Sequence, residues 1–298
     1  MTASPADQWL QLGFDTGADE AEALSAALEL AGALSVTLQD SGDDPIYEPA
    51  PGASVLWPTT HVVGLFAPDA DPRRILEAVK ATLGLTDTPG CRIRRLADRV
   101  WERVWMDHFR PLRFGERVWI IPTGYEPPQP AAINLYLDPG LAFGTGTHAT
   151  TALCLEWLDR HPPKGEDVVD YGCGSGILAI AAARLGARHV RAVDIDAQAL
   201  RATCDNAARN GVAERITTGL PEHLGETTAD CLLANILARP LIDLEPRFAA
   251  LLRPGGRLVL SGILTSQRDE VLASYRGRFE LREEARRDDW LRLELICK

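Results

Sequence analysis

The chain has no C-x-x-C pair. Its six cysteines, Cys91, Cys154, Cys173, Cys204, Cys231 and Cys297, are scattered, so neither a disulfide framework nor a zinc site is indicated, and a reducing cytoplasmic setting is expected. The six histidines show no H-E-x-x-H or related ligand spacing; each reads as a surface or satisfied core histidine, and no metal is expected. Long apolar runs are also missing. Met1 to Leu10 has neither a basic n-region nor an apolar h-region, and the most apolar helical stretch, Ile177 to Ala187, is too short for a bilayer and carries Arg184, so neither export nor a membrane span is expected. Positive charge is in deficit. The 31 Lys and Arg stand against 42 Asp and Glu, a net charge of −11, which argues against a nucleic-acid substrate and suits a cationic partner.

What is present suggests two domains, because single cores stop growing near roughly 250 to 300 residues and the chain has 298. Residues 1–97 read as β-α-β-β-α-β: strands near Gln8 to Phe14, Ala33 to Gln39, His61 to Ala67 and Cys91 to Leu96, with helices Asp19 to Ala31 and Asp71 to Leu83. That order predicts an α+β ferredoxin-like sandwich. No catalytic constellation lies within it, which leaves recognition and architecture as alternative roles. Residues 98–110 read as a helical linker in which Trp101, Trp105 and Phe109 share one face, either as packing surface or as a substrate-contacting strip. From 111 to 298, short strands and then alternating helices and apolar strands predict an α/β domain with a parallel sheet, closed by a hairpin, Phe279 to Arg287 and Trp290 to Cys297.

The chemistry concentrates at Asp170-Tyr171-Gly172-Cys173-Gly174-Ser175-Gly176. Val168-Val169 enters this turn as a strand and Ile177 to Ala183 leaves it as a helix, so the glycines sit where backbone approaches a ligand at a helix N-terminus. The next strand, Val190 to Val193, delivers Asp194 about 20 residues later, where a carboxylate can accept both ribose hydroxyls. Gly174-x-Gly176-x-x-Ala179 formally satisfies a dinucleotide fingerprint as well. The acidic surroundings separate the two cofactors: S-adenosylmethionine (SAM) carries an ammonium and a sulfonium and no pyrophosphate, so Asp170 favours it and would repel a phosphate.

Two further segments belong with the turn. Residues 138–148, which include Phe143, Gly144 and Thr145, are too rich in glycine and threonine for helix or strand; they read as a flap whose amides and hydroxyls can wrap a cofactor carboxylate. Thr150 and Thr151 then open a helix aimed at the same pocket. Asn235 ends the fourth strand at the carboxyl edge, where ligands of such sheets collect, although an asparagine there is also an ordinary turn residue.

Several stretches together resemble the PrmA methyltransferases, which modify the eleventh protein of the large ribosomal subunit, L11. They are Leu137 to His148, Gly172 to Ile180, Asp194-Ile195-Asp196, Asp205 to Gly211, Ala234-Asn235-Ile236-Leu237 and Ser261-Gly262-Ile263-Leu264. The resemblance spans the segment from about residue 130 onward and is weaker in the first hundred residues. It implies a class I SAM-dependent methyltransferase, with a Rossmann-like, mostly parallel seven-stranded sheet and a terminal antiparallel hairpin. It places SAM contacts on Thr151, Gly172, Asp194 and Asn235. It also implies an N-terminal domain that holds L11, a linker that lets it swing, and trimethylation of lysine side chains and the N-terminal α-amine. Related enzymes of planar acceptors carry Pro-Pro and an aromatic after the strand-end residue. Ile236-Leu237-Ala238 lacks that stacking wall and favours an aliphatic amine. Asn235 is the candidate catalytic residue, orienting the amine; no general base is positioned by sequence, and a monomer is expected. The alternatives are a SAM-dependent N-methyltransferase of another protein or small amine, and a non-catalytic SAM-binding ribosome-assembly factor.

Overall fold

A computed structural model of the chain describes residues 8–41, 57–87, 90–97, 110–137, 148–225 and 228–298. The chain divides into two compact units, Met1–Val104 and Trp105–Lys298. In the first, β1 (Gln8–Gly17) alternates, burying Leu10, Leu12 and Phe14, the two-residue period of a half-covered strand. These side chains meet α1 (Ala18–Leu30) at Leu24 and Leu28 and α2 (Pro72–Leu83) at Ile75 and Val79. Helix α2 starts where the Asp71 carboxylate accepts from Arg73 N at 2.9 Å, with Pro72 in the first turn, and stops at left-handed Gly84, the usual start and stop chemistry. With β2 (Ser35–Asp40), β3 (Thr59–Phe66) and β4 (Arg92–Ala97), the sheet order is β2-β3-β1-β4, every pair antiparallel. This is the expected ferredoxin-like arrangement. Strand β1 runs three residues beyond the predicted Phe14 because Asp15, Thr16 and Gly17 pair with His61, Thr60 and Thr59. The predicted helical stretch with Trp101, Trp105 and Phe109 lies outside the described residues.

The second unit opens with a small sheet, β5 (Leu112–Phe114), β6 (Val118–Ile121) and β7 (Ile133–Tyr136), of which β5 is not evident in the sequence pattern. The main elements follow: α3 (Ala149–Arg160), β8 (Asp167–Tyr171), α4 (Ile177–Arg184), β9 (His189–Val193), α5 (Ala197–Arg209), β10 (Ile216–Gly219), β11 (Ala229–Asn235), α6 (Ala238–Asp243), α7 (Glu245–Leu251), β12 (Leu252–Leu264), α8 (Arg268–Tyr275), β13 (Phe279–Arg287) and β14 (Trp290–Cys297). Their seven strands order as β10-β9-β8-β11-β12-β14-β13, parallel up to β12 and antiparallel through the hairpin. This is the class I methyltransferase sheet expected from the resemblance. One difference concerns Pro254-Gly255-Gly256. Instead of a turn that precedes the strand, it is a bulge within β12, where the register jumps from Ala229↔Leu252 to Cys231↔Arg257.

The helices cover the sheet on both faces. Helices α3, α4 and α5 bury one set of strand residues, including Val168, Val190, Leu233 and Val259; α6, α7 and α8 bury the other, including Val169, Leu232, Leu258 and Leu293. Such near-continuous apolar strands are what a doubly covered parallel sheet requires. Trp157 is fully buried on α3, its Nε1 donates to the Glu294 carboxylate at 3.0 Å, and the Arg257 guanidinium stands 5.0 Å from its ring centroid. Glu294 is only 1% exposed, so losing that donor is costly. Trp157→Phe is expected to lower unfolding free energy by about 1–3 kcal/mol. Urea denaturation followed by circular dichroism checks this, and an unmoved midpoint would show that the bond carries no net weight.

Candidate active site

The strand-to-helix turn after β8 is built on three left-handed glycines, Gly172 (φ 78°), Gly174 (φ 54°) and Gly176 (φ 78°), conformations that cost other residues steric energy. Two of the three also leave no room for a side chain. A Cβ on Gly172 would collide with the Ile236 side chain, and one on Gly176 would lie 2.7 Å from Thr203. The turn is stapled to the end of β9 by Gly172 N and Cys173 N donating to Val193 O at 2.8 and 3.0 Å. The Thr203 hydroxyl donates to Gly174 O at 3.1 Å.

Asp170 lies beneath the turn, 1% exposed, and accepts from Ala179 N at 2.9 Å. It thereby satisfies one of the amides that the start of α4 leaves without an intrahelical partner. Burial pushes its carboxyl up to about 7, against the Ala179 hydrogen bond and helped by the charge of Asp194. A buried acid therefore occupies the helix N-terminus, where a dinucleotide would seat its pyrophosphate.

Asp194, half-buried at the end of β9, accepts from Gly174 N at 2.9 Å through Oδ2 and from Asp196 N at 3.0 Å through Oδ1. A carboxylate offers about four lone-pair sites, so two remain for a vicinal diol. Ile195 beside it is 86% exposed, an apolar surface next to this carboxylate with the chemistry to fit a purine face. The sequence reading missed it, although an apolar residue between two aspartates at a strand end was the available signal. The glycine turn, the spare carboxylate capacity and Ile195 fit the adenosine half of SAM.

At the end of β11, on the other side of β8, Asn235 Nδ2 donates to Thr151 Oγ1 in the first turn of α3 at 3.3 Å. Ile236, next in sequence, fills the space above Gly172, so the Asn235 loop rests directly on the glycine turn. At the N-cap of α3, His148 Nδ1 lies 2.7 Å from Thr150 Oγ1 and its ring stands edge-on to Trp290, centroids 4.7 Å apart. Neither His148 nor Trp290 has an assigned role in the sequence reading. The structure thus gathers Gly172, Gly174, Asp194, Asn235 and Thr151 at one sheet edge, with Asp170 underneath. Phe143, Gly144 and Thr145 lie outside the described residues.

Two other features are structural. A cavity of about 610 Å³ lined by Gly115, Glu116, Arg117, Glu156, Asp159 and Arg160 lies at the far end of α3. Its charges are matched by the Arg117–Asp159 and Arg287–Glu156 pairs at 3.0 and 2.8 Å. His161, Glu283 and Glu294 place possible ligand atoms within 4.8 Å of one another. Arg160 and Arg292 donate to Glu283 and Trp157 donates to Glu294, so both carboxylates already have partners within the protein.

The raised Asp170 carboxyl sets a pH dependence. Its folded value, about 7, lies above the ordinary 3.8, so its contribution to stability is fully present below the unfolded value and is lost as pH rises from there through about 7. The stability of wild type relative to Asp170→Asn should therefore fall between pH 4 and pH 7.5. Denaturant unfolding of both proteins across that range measures it, and a pH-independent difference would remove Asp170 from the titration.

Comparison with known proteins identifies the family. Residues 8–297 match the family model described as "Ribosomal protein L11 methyltransferase (PrmA)". A ribosomal protein L11 methyltransferase of Pseudomonas putida (strain W619) is 51% identical over 286 residues, 96% of this chain and 98% of that relative. One from Azotobacter vinelandii (strain DJ) is 50% identical over 287 residues, again 96% and 98%. Among solved structures, a ribosomal protein L11 methylase from Lactobacillus delbrueckii subsp. bulgaricus aligns with a TM-score of 0.59 at 34% identity, covering 64% of this chain and all of that one. With a family match over residues 8–297 and relatives about half identical along 96% of its length, the chain belongs to the ribosomal protein L11 methyltransferase (PrmA) family.

Proposed function

We infer that this chain transfers methyl groups from SAM to ribosomal protein L11, on lysine side-chain amines and the N-terminal α-amine, up to the trimethyl state. The observation that carries the reading is the contact of Ile236 with Gly172, which puts Asn235 at the edge of the cofactor turn. When bound, SAM supplies an electrophilic methyl group on a sulfonium. The protein's part is to hold and orient. Asp194 would take the ribose diol, Gly172 and Gly174 would hold the cofactor through their backbone, Thr151 would border the pocket, and Phe143, Gly144 and Thr145 would complete the cofactor-binding set.

Asn235 is oriented by its bond to Thr151, and its amide carbonyl accepts an amine N–H so that the nitrogen lone pair faces the methyl group. Presenting a neutral lysine at pH 7 costs roughly 4 to 5 kcal/mol, against about 1 for an α-amine. The proton is lost to solvent, and proximity supplies most of the acceleration. Leu237, half exposed beside Asn235, gives an aliphatic stem an apolar rail. The N-terminal unit is the part that holds L11. Among the described residues no helix is long and apolar enough to cross a membrane. The same reading takes the enzyme as a cytoplasmic monomer, and its net charge of −11 disfavours nucleic acid.

Two measurements test this reading. Intact-mass and peptide mass spectrometry of L11 after incubation with the protein and SAM should show methyl increments on its N-terminal amine and lysines; an unmodified L11 alongside demonstrable SAM binding would overturn the acceptor. Asp194→Ala removes charge-assisted bonds worth about 1.5–3 kcal/mol and should weaken SAM binding roughly tenfold to a hundredfold by calorimetry. Unchanged affinity would end the ribose assignment.

A further inference from the structure

We propose that Ser261 is a positioning residue for methyl transfer, acting through the Thr151–Asn235 pair; this rests on the function inferred above. Ser261 stands directly across from Asn235 in the β11–β12 register. Leu233 and Val259, two residues earlier on each strand, lie in the core beneath α3, so the strand period puts the Asn235 and Ser261 side chains on that same face. Ser261 is completely buried. A hydroxyl there costs stability unless it is bonded, and its Oγ lies 3.2 Å from Thr150 O and 3.4 Å from Leu291 O. Thr150 is the residue before Thr151, whose Oγ1 receives the Asn235 amide. Leu291 follows Trp290, the ring against which His148, the N-cap of α3, is packed. The one hydroxyl proton goes to one carbonyl at a time, the shorter contact being Thr150 O, so Ser261 ties β12 to the first turn of α3 beside the base of the hairpin.

The residue after it makes this junction possible. Gly262 is left-handed at φ 82°, and a Cβ on it would run into the Ile236 backbone carbonyl. The β12–β14 register shifts between Leu260 and Ile263, so the strand bulges where the Asn235–Leu237 backbone must pass. The bulge admits the loop, and Ser261 fixes the helix turn against it. A buried alanine would fill most of the same volume while leaving the α3 turn free to drift relative to Asn235, and small displacements of orienting groups are expensive in catalysis.

The test is steady-state methylation of L11 by wild type, Ser261→Ala, Asn235→Ala and the double variant, with SAM affinity by calorimetry and melting temperature alongside. Ser261→Ala should lower kcat by about tenfold or more while the KM for L11 and the SAM affinity stay within about threefold. Ser261→Thr, which keeps the hydroxyl, should recover most of the loss. In the Asn235→Ala background the alanine change should cost almost nothing further, because both act on one geometry. Fully additive losses, or a kcat for Ser261→Ala within about twofold of wild type, would overturn the proposal. If the alanine variant does not fold, Ser261→Cys, which keeps the volume and weakens the donor, takes its place in the same cycle with the same expected non-additivity. Wild type that leaves L11 unmethylated would remove the functional reading and this inference with it, whereas active wild type with undiminished Ser261 variants removes Ser261 alone.

Discussion

The missing side chain at Gly172 is the constraint on which the site depends. Ile236 packs into that space, and through it the loop carrying Asn235 is seated on the loop that approaches the cofactor. The neighbouring glycine at 262 repeats the device from the other side, accepting the Ile236 backbone. Ile236 is thus held between two positions that tolerate no Cβ, and the Asn235 loop is joined to the glycine turn by close packing. Interiors packed to this density transmit displacement instead of absorbing it, which ties the geometry of the β11 and β12 ends to that of the glycine turn.

Electrostatics then sort the ligands. Asp194 spends half of its acceptor capacity on the turn and on the start of α5, so its position is set before any ligand arrives, and what remains is matched to a diol. Asp170 works from below. It satisfies an amide of α4 and keeps a titratable acid where helices of this kind elsewhere receive phosphate. The sequence reading assigned Asp170 a charge preference at the turn. The structure instead buries Asp170 and pushes its carboxyl up to about 7, so near neutral pH it carries only part of a charge, and its firmer role is to occupy the Ala179 amide at the start of α4.

Features that repeat at short range were legible in the letters. The apolar runs of β8 and β9, the glycines between β8 and α4, and the Asp288-Asp289 break in the hairpin all carry local signals, and their elements fall within a residue or two of expectation. The strand Leu112–Phe114 is too short for any period to register. The bulge at Pro254-Gly255-Gly256 has the composition of a turn, and only its pairing with β11 reveals it as part of a strand. At the site, Asp194 and Asn235 could be read because strand ends in such sheets are known positions. Ser261, His148 and Trp290 could not, because their roles come from contacts across more than a hundred residues, Ser261 with Thr150 and His148 with Trp290, and a lone serine in an apolar run carries no signal of what it touches.

Asn210 closes α5 and is followed by left-handed Gly211. Its side chain also completes a ladder: Oδ1 accepts from Tyr136 N at 2.8 Å, and Nδ2 donates to Tyr136 O at 2.9 Å and to Asn206 O at 2.8 Å. An asparagine before glycine is the pairing most open to deamidation, and asparagine is among the thermolabile residues. Here the amide is 3% exposed and fully engaged, so the fold shields its own weakest covalent link. Conversion to a carboxylate would set negative charge against two carbonyl oxygens and release β7 at the point where the chain enters residues 138–147. The chemical lifetime of the enzyme is therefore bound to how seldom this one helix end opens.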